Sequence, residues 1–241
     1  MALETAVTII QRVSAEVGIP VATAPFSSTD PNQALLIQLL NSAGKELANY
    51  YEWPELDKSW TIDASIDGTT GTYPLPSDFG WSHNGTFWDT VNGYPVNGPL
   101  QPKEWAAVRN SWAQGAGPTS KVFRQFGTSM EILPAPLAST DILTLEYTSR
   151  LWVKTAAATY QDSCTDPSDT PQIDGHVMSR LTKLRFLEAK GMATGAASAE
   201  FQAALDDATF KPLGAPVLRL NGTLPSRLIG YTNVPETGYG L

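Results

Sequence analysis

Metal and thiol chemistry have few candidate residues in this 241-residue chain. Its two histidines, His83 and His176, each lack a second ligand at the short spacings of zinc sites. We interpret His176, in the first turn of a predicted helix, as a surface residue. We interpret His83, in a Ser-His-Asn-Gly loop, as a turn or interface residue. Cys164 is the only cysteine, and the aspartates around it disfavour a reactive thiolate.

An acidic segment that begins at Asp162 has the composition of a calcium loop but not its spacing. An EF-hand loop starting there needs oxygen ligands at its third and fifth positions, glycine at the sixth and glutamate at the twelfth. Those positions hold Cys164, Asp166, Pro167 and Ile173. The pattern therefore favours a solvated loop, and we predict no metal and no cofactor.

Nucleophilic and phosphate-binding motifs are missing from the sequence as well. The chain has no Gly-x-Ser-x-Gly turn, which hydrolases use to expose a serine nucleophile. Gly115-Ala-Gly117 is followed by Pro-Thr-Ser, without the third glycine or the Gly-Lys-Ser/Thr ending of phosphate-binding loops.

Glycoside hydrolysis is the strongest enzymatic alternative, because it needs a pair of carboxylates beside the sugar. The candidates are four acids and three tryptophans: Asp78, Asp89, Glu104 and Glu131, with Trp81, Trp88 and Trp105. Aromatic residues are commoner in β cores and subunit contacts than in sugar sites, and the sequence gives no carboxylate separation. We predict no catalytic residue and keep a carbohydrate-binding or carbohydrate-active protein as the alternative.

The elements that would position these residues begin and end with helices. Apolar residues at spacings of three and four predict two N-terminal helices, the first ended by Gly18 and Pro20 and the second closed by Trp53-Pro54. Asp30 precedes Pro31 as an N-cap of the second helix. Two more helices are predicted near the C-terminus, one from Asp174 to Gly191 and one from about Ser198. Pairing the two sets would cover all four apolar faces.

Short strands are predicted between the helix pairs. Trp60, Ile62 and Ala64 alternate with polar residues, and Asp67-Gly68 predicts a hairpin to a return strand beginning at Gly71. Further predicted strands cover 85–90, 121–126, 129–133 and 142–153, with one helix from Pro102 to Trp112. Many prolines and glycines between short strands favour a small sandwich or barrel.

The sequence thus predicts an α+β fold, in which a helical bundle carries an inserted antiparallel β domain. The predicted ranges are 1–57 and 174–211 for the bundle, 58–155 for the β domain, 156–173 for a polar connector and 212–241 for an extended C-terminal arm. The arm is rich in glycine and proline and cannot form a core alone, yet it carries many apolar side chains.

Charge and targeting signals narrow the function further. The formal net charge is −8, from 16 basic and 24 acidic residues, and no basic cluster suited to phosphate backbones is evident. Such a protein could line a path for nucleic acid without retaining it. One cysteine, no signal peptide and no run of about 20 apolar residues predict a soluble intracellular protein without a membrane partner.

Several segments together resemble head-to-tail adaptor proteins of short-tailed bacteriophages, whose fold is similar to that of tail tubular protein A. In chain order they are Tyr50-Tyr-Glu-Trp-Pro54, Tyr73-Pro-Leu-Pro-Ser-Asp-Phe79, Phe87-Trp-Asp-Thr90, Gly98-Pro-Leu-Gln-Pro-Lys-Glu-Trp105, Met130-Glu-Ile-Leu-Pro-Ala-Pro136, Leu145-Glu-Tyr-Thr-Ser-Arg-Leu-Trp-Val153 and Arg185-Phe-Leu-Glu-Ala-Lys-Gly191. The resemblance covers roughly residues 30–210. Leu184 stands where those proteins carry a tryptophan.

The resemblance implies a structural virion protein, made in the host cytoplasm, that forms a dodecameric ring without chemistry. The ring would join the portal to the next tail component, a nozzle or tail tube, and continue the DNA channel without sequence-specific binding. We expect β-domain loops with Trp81, His83, Asn92 and Tyr94 to face the tail. We expect the arm to bind the portal or an adjacent subunit through Leu218, Leu220, Leu224, Leu228, Ile229, Tyr231 and Tyr239. Another tail-tube component is the remaining alternative.

Overall fold

The computed structural model describes residues 3–115 and 120–213, with side chains through Phe210. Five α-helices are present in this part of the chain: α1 Ala6–Glu16, α2 Pro31–Tyr50, α3 Pro102–Ala113, α4 Gly175–Ala189 and α5 Gly195–Leu213. The strands are β1 Asp57–Asp63, β2 Thr72–Pro74, β3 Phe79–Ser82, β4 Trp88–Asp89, β5 Tyr94–Pro95, β6 Val122–Phe126, β7 Ser129–Leu133, β8 Ile142–Ser149, β9 Val153–Lys154, β10 Tyr160–Gln161 and β11 Thr170–Pro171. The arm, whose first two residues fall in α5, otherwise lies outside the described residues.

Four helices from the two ends of the chain form one bundle. Helix α4 packs against α1, α2 and α5 because its buried stripe of Val177, Leu181 and Leu184 meets the apolar faces of all three. Helix α4 starts where it was predicted, and Asp174 caps it, since its side chain accepts the backbone N–H of His176 at 2.8 Å. This bundle and the antiparallel β insertion confirm the predicted α+β fold.

Helix α2 ends three residues before the predicted closure at Trp53-Pro54. Asp30 caps its start, but its last helical residue is Tyr50, whose side chain is 66% exposed. Trp53 folds back into the core, and its indole Nε1 donates to the carbonyl of Leu47 at 2.7 Å. That bond satisfies a carbonyl in the last turn of the helix. The Trp53 side chain, and not the backbone restriction that Pro54 imposes, therefore ends α2.

The longest strand, β8, organises the main sheet. Strand β1 pairs with it antiparallel along its whole length, from Asp57 opposite Thr148 to Asp63 opposite Ile142. On its other side, β8 pairs with β3 near Thr148 and with β4 near Leu143, and β5 follows β4. The unpredicted β3 thus fills the part of this edge that β4 does not reach.

The predicted hairpin between β1 and the strand after Asp67-Gly68 is wrong. Strand β2 pairs with β7 in a second sheet of order β2-β7-β6, and β1 has β8 as its strand partner. The turn itself forms, because the Asp67 carboxylate accepts the Asp63 N–H at 2.9 Å. The chain then crosses between sheets. The strands predicted at 121–126 and 129–133 are confirmed, and β6 and β7 pair as a hairpin about Gly127-Thr128.

The two sheets face each other across an apolar core, as a sandwich does. Sheet one contributes Ile62, Leu143 and Leu145, and sheet two contributes Phe123, Met130 and Ile132. The rings of Phe87 and Phe123 meet edge to face at 4.9 Å and join the layers. Helix α3 covers one end, where Trp105 packs with Val122 and Leu133.

The polar connector is only in part the solvated loop that we predicted, because residues 156–160 and 165–168 are exposed while others pack into the core. Strands β10 and β11 flank β9 in a small antiparallel sheet, and Cys164 and Ile173 enter the bundle core. Asp169 is buried because its carboxylate accepts the backbone N–H groups of Thr165 and Asp166, at 2.8 and 2.9 Å. The Asp169 carboxylate therefore stabilises the backbone conformation of the connector.

Candidate partner-binding surfaces

The four residues predicted to face the tail lie at two different ends of strand β8. Trp81 and His83 lie beside Thr148, next to the bundle, and Trp81 is in strand β3 and not in a loop. Asn92 and Tyr94 follow β4, which pairs at Leu143. Five residues of extended strand separate these points by about 17 Å. The four residues therefore do not form one surface.

His83 occupies a junction between the bundle and the sheet. Its Nε2 lies 3.0 Å from the carboxylate of Asp57 and 3.1 Å from the hydroxyl of Thr148. Its Nδ1 lies 3.6 Å from the carboxylate of Glu52, just beyond α2. Only 14% of the side chain is exposed. These contacts give His83 a role in holding the two parts of the molecule together.

A cleft of about 630 Å³ opens at the end of the β domain that lies away from the bundle. Asn92 and Tyr94 line it, together with prolines 95, 134 and 136 and the polar residues Asn97 and Ser120. The Tyr94 side chain is 65% exposed. A partly aromatic and partly polar depression of this kind is suited to receive a segment of another protein.

Two buried carboxylates and one lysine form the floor of this cleft. The Lys121 ammonium contacts Asp89 and lies 3.0 Å from Asp141, while the two acid side chains are only 3% and 6% exposed. Asn92 donates to Asp89 at 2.8 Å. Burial acts to raise the pKa of Asp89, but hydrogen bonds from Lys121 and Asn92 hold that pKa below its ordinary value.

Sequence reasoning did not identify Lys121 or Asp141 as site residues. They are 20 residues apart and lie on either side of the β6–β7 hairpin, so no local motif links them. The backbone N–H of Ala138, which accompanies Asp141 in its loop, donates to that carboxylate at 3.0 Å. Only the pairing of β8 with β4, and of residue 97 with β6, brings these loops together.

Exposed apolar side chains surround the same end of the domain. Ile66, in the turn after β1, is 81% exposed, and Val91, beside Tyr94, is 52% exposed. The turn of Ile66 approaches the cleft because the Ala64 N–H donates to the carbonyl of Asp141 at 3.0 Å. Contiguous exposed apolar patches mark protein-binding sites, so we treat these side chains and the cleft as one candidate surface. We name the cleft and these residues the distal tip.

The carboxylates considered for glycoside hydrolysis are all held by other groups. Asp78 accepts from the hydroxyl of Tyr147 at 2.9 Å, and Glu131 pairs with Arg124 at 2.7 Å. Glu104 accepts the backbone N–H of Gln101 at the start of α3. Burial acts to raise the pKa of Asp78, yet hydrogen bonds from Lys58, Tyr147 and Ser149 keep that pKa below its ordinary value. A general acid needs a raised pKa, so this acid is unsuited to that role.

Cys164 lies buried in the bundle core, a position that agrees with the prediction of an unreactive thiol. Burial raises the pKa of its thiol to about 12, and the nearby Asp169 carboxylate adds to the effect. Within residues 3–115 and 120–213, no cluster of three or more metal-ligating side chains occurs. His176 is exposed at the start of α4, in agreement with its interpretation as a surface residue.

The predicted arm residues lie outside the part of the chain that the structure describes. The helix that leads to them, α5, ends at Leu213. It passes the C-terminal end of α2, because the Tyr51 hydroxyl donates to the carbonyl of Thr209 at 3.2 Å. The last turns of α5 therefore lie close to the end of α2.

The described residues form a helical bundle that bears a β sandwich, with a surface cleft at its outer end. Comparison with known families gives the class of protein. The sequence profile described as SU10 adaptor protein matches residues 4–219, and the chain belongs to this family of bacteriophage structural adaptors. This confirms the resemblance to phage adaptors. No curated protein matches the chain. Among the described residues, no helix is long and apolar enough to cross a bilayer.

Proposed function

We propose that this protein forms the ring that joins the phage portal to the next tail component and continues the channel for DNA. The family match across residues 4–219 carries the proposal, because it covers both the bundle and the β domain. The architecture supports it, since the bundle and the distal tip lie at opposite ends of β1 and β8. A protein with two separated ends can contact two different neighbours.

The distal tip is the surface that would meet the nozzle or tail tube. Its cleft presents Asn92 and Tyr94, with the charged floor of Asp89, Lys121 and Asp141 beneath them. Trp81 and His83, which we also predicted on the tail side, lie beside the bundle and contribute to the junction instead. The bundle and the arm are then left for the portal and for adjacent subunits of the ring.

The arm would bind the portal or an adjacent subunit through its apolar residues, named above. Ordering such a segment costs entropy, which burial of apolar area on the partner offsets. Deletion of the residues after Gly214 should leave a folded monomer that no longer assembles. Normal joining of the truncated protein to the portal would contradict this part of the proposal.

The charge distribution supports passage of DNA without tight binding. Eight described basic side chains lie in ion pairs with carboxylates: Arg12, Lys45, Lys58, Lys121, Arg124, Arg180, Lys183 and Arg185. Paired cations are less able to neutralise phosphates. Candidates for the channel lining are Asp206, Asp207 and the acids of residues 162–174 other than the buried Asp169, since negative charge would prevent DNA from sticking.

The test is electron microscopy of the full chain mixed with the portal encoded beside it. We expect a ring stacked on the narrow end of the portal, with its copy number visible in end views. Absence of association with an intact portal would refute the portal-binding role. In that case, binding to other tail components and to glycans should be measured, since these are the remaining functions of a tail protein.

A further inference from the structure

The distal tip is built from four described segments of the chain: 63–69, 89–97, 120–121 and 134–141. The first of them lies beside the cleft because the Ala64 N–H donates to the carbonyl of Asp141 at 3.0 Å. The Leu137 N–H likewise donates to the carbonyl of Thr69 at 2.9 Å. The acids of these segments are Asp63, Asp67, Asp89 and Asp141. Lys121 is the one basic residue in the four segments, so the tip is acidic.

The positive charge of Lys121 is already used within the cleft. Its ammonium group contacts Asp89 and lies 3.0 Å from Asp141, and only 16% of its side chain is exposed. An anionic ligand that approached this lysine would also meet the two carboxylates and be repelled by them. A cationic ligand would be attracted by the same two groups. The charges of the cleft therefore favour a cation over an anion.

The turn after β1 adds negative charge to the rim of the cleft. Asp67 is exposed and Asp63 is partly exposed. Hydrogen bonds from the side chain and the backbone of Ser65 hold the pKa of Asp63 below its ordinary value, so this carboxylate is ionised at neutral pH. Ile66, which is 81% exposed, lies between the two acids in sequence. A partner at this rim would meet negative charge and apolar surface together.

The apolar groups of the tip are arranged to contact a short segment of chain. Tyr94 and Val91 are 65% and 52% exposed, and three prolines line the cleft beside them. Proline has no backbone N–H, so these positions give the wall an apolar character. The volume of about 630 Å³ lies within the range of about 300–1,000 Å³ of pockets that enclose small ligands. A cleft of this size suits a few residues of a partner and not the face of a whole domain.

Two polar side chains of the cleft suit a peptide backbone. The amide of Asn97 and the hydroxyl of Ser120 lie 3.3 Å apart, and both residues are exposed. Each peptide unit of an extended segment carries one donor and one acceptor that need partners. An asparagine side chain offers both kinds of group, and a serine hydroxyl can take either role. The cleft can therefore hydrogen-bond a segment whose side chains contact the apolar rim.

We propose that the distal tip binds an extended segment of the next tail component in which lysine or arginine lies between apolar residues. This inference rests on the proposed ring, because that role supplies the tail component as the partner. Apolar side chains of the segment contact Tyr94 and Ile66, and its cations lie near Asp67 and Asp141. The same acids repel an acidic segment, so charge selects the partner more than it adds affinity.

Peptide binding to the full chain tests the charge preference. The probes are three fluorescent peptides of equal length, in which leucine alternates with lysine, with glutamine or with glutamate. We expect fluorescence anisotropy to show the lysine peptide binding at least about tenfold more tightly than the glutamate peptide. Its binding should weaken as salt is added. Equal affinity for the three peptides, tighter binding of the glutamate peptide, or no binding of the lysine peptide would overturn the proposal.

Matched variants show whether the lysine peptide binds at the distal tip. Asp67→Asn removes a charge but keeps an oxygen that can accept the Asp63 N–H, and it should weaken binding about threefold. Tyr94→Ala should weaken it at least about tenfold, since exposed tyrosines often dominate binding. Glu55→Gln is the control, because Glu55 is exposed just before β1, at the other end of the sheet. The chain has a net charge of −8, so an equal loss in Asp67→Asn and Glu55→Gln would indicate non-specific attraction and refute the site.

The portal is not part of the peptide readout, so the two proposals fail separately. A ring on the portal without the peptide preference would refute only the basic, apolar segment. The peptide preference without portal association would refute only the ring.

Discussion

The indole of Trp152 lies directly against Gly44 in the middle of helix α2. A Cβ atom placed on Gly44 would lie 2.2 Å from Cη2 of the tryptophan. Trp152 is fully buried, and its Nε1 donates to the carbonyl of Asp162 at 2.9 Å. The chain leaves β8 just before this residue, so the contact joins the end of the main sheet, the small third sheet and the bundle.

Gly44→Ala should therefore destabilise the protein although alanine favours a helix. Propensity contributes about 1 kcal/mol in favour of alanine, while overpacking costs about 1–3 kcal/mol and can cost more. At 2.2 Å from a buried ring the clash should dominate, and we expect a net loss of stability in urea unfolding. Gly195→Ala is the control, because nothing lies within 4 Å of its Cβ position. Equal stability of the two variants would refute the packing argument.

Lys121→Met should be strongly destabilising. It leaves Asp89 and Asp141 buried without their cation, and breaking a buried ion pair costs about 3–5 kcal/mol. Lys45→Met is the control, since Lys45 and its partner Asp162 are 54% and 60% exposed and such a pair contributes about 0–1 kcal/mol. Free energies of unfolding in urea at pH 7 measure both. A similar small loss in the two variants would show that the cluster does not hold the distal tip together.

Asp78 should make stability depend on pH in the acid range. Its pKa is lowered in the folded protein, because Lys58, Tyr147 and Ser149 outweigh the opposing effect of burial. Its contribution is therefore present above the ordinary value of 3.8 and is lost as pH falls through the lower folded value. Asp78→Asn should cost about 1–2 kcal/mol at pH 7 and progressively less below pH 4. Unfolding of Asp78→Asn and of the exposed control Glu55→Gln across this range is the measurement; a cost that stays constant with pH would contradict it.

Cys164 should be unreactive in the native protein. With its pKa raised from 9.0 to about 12, the thiolate fraction at pH 8 falls by about a thousandfold, and burial blocks access as well. A chromogenic disulfide reagent should therefore give no fast reaction in buffer and one thiol per chain in concentrated urea. Rapid native labelling would show that the bundle opens around the connector. Because Cys164 is the only cysteine, the signal has one source.

Tyr94→Ala should mainly weaken binding and His83→Ala should mainly lower stability, although the sequence analysis placed both residues on the tail side. Tyr94 is largely exposed, so its loss should change stability by less than about 0.5 kcal/mol while weakening binding to the next tail component. His83 holds Asp57 and Thr148, so its loss should lower stability and leave the distal tip intact. Thermal unfolding and pull-down with the neighbouring tail protein separate the two. Similar profiles for both variants would contradict the assignment.

Much of the fold follows from local sequence. The helices repeat apolar residues at their own period, and Asp30 and Asp174 cap α2 and α4 because a carboxylate accepts free N–H groups wherever a helix begins. The β6–β7 hairpin is similarly local, since Gly127-Thr128 separates two short strands. The family resemblance also came from segments along the chain. In each case the signal and the structure it specifies lie within a few residues.

Strand pairing and the grouping of site residues depend on residues far apart in sequence, and only the tertiary structure decided them. The Asp67-Gly68 turn forms, but no local signal shows that β1 pairs with β8, whose residues lie 79 to 91 positions further along the sequence, and not with β2. Lys121, Asp89 and Asp141 become a site only when three separate segments of the chain meet at the distal tip. Trp81 and His83 separate from Asn92 and Tyr94 because β3 and β4 occupy different parts of one strand. Burial and strand order determine these arrangements, and neither is encoded in the spacing of neighbouring residues.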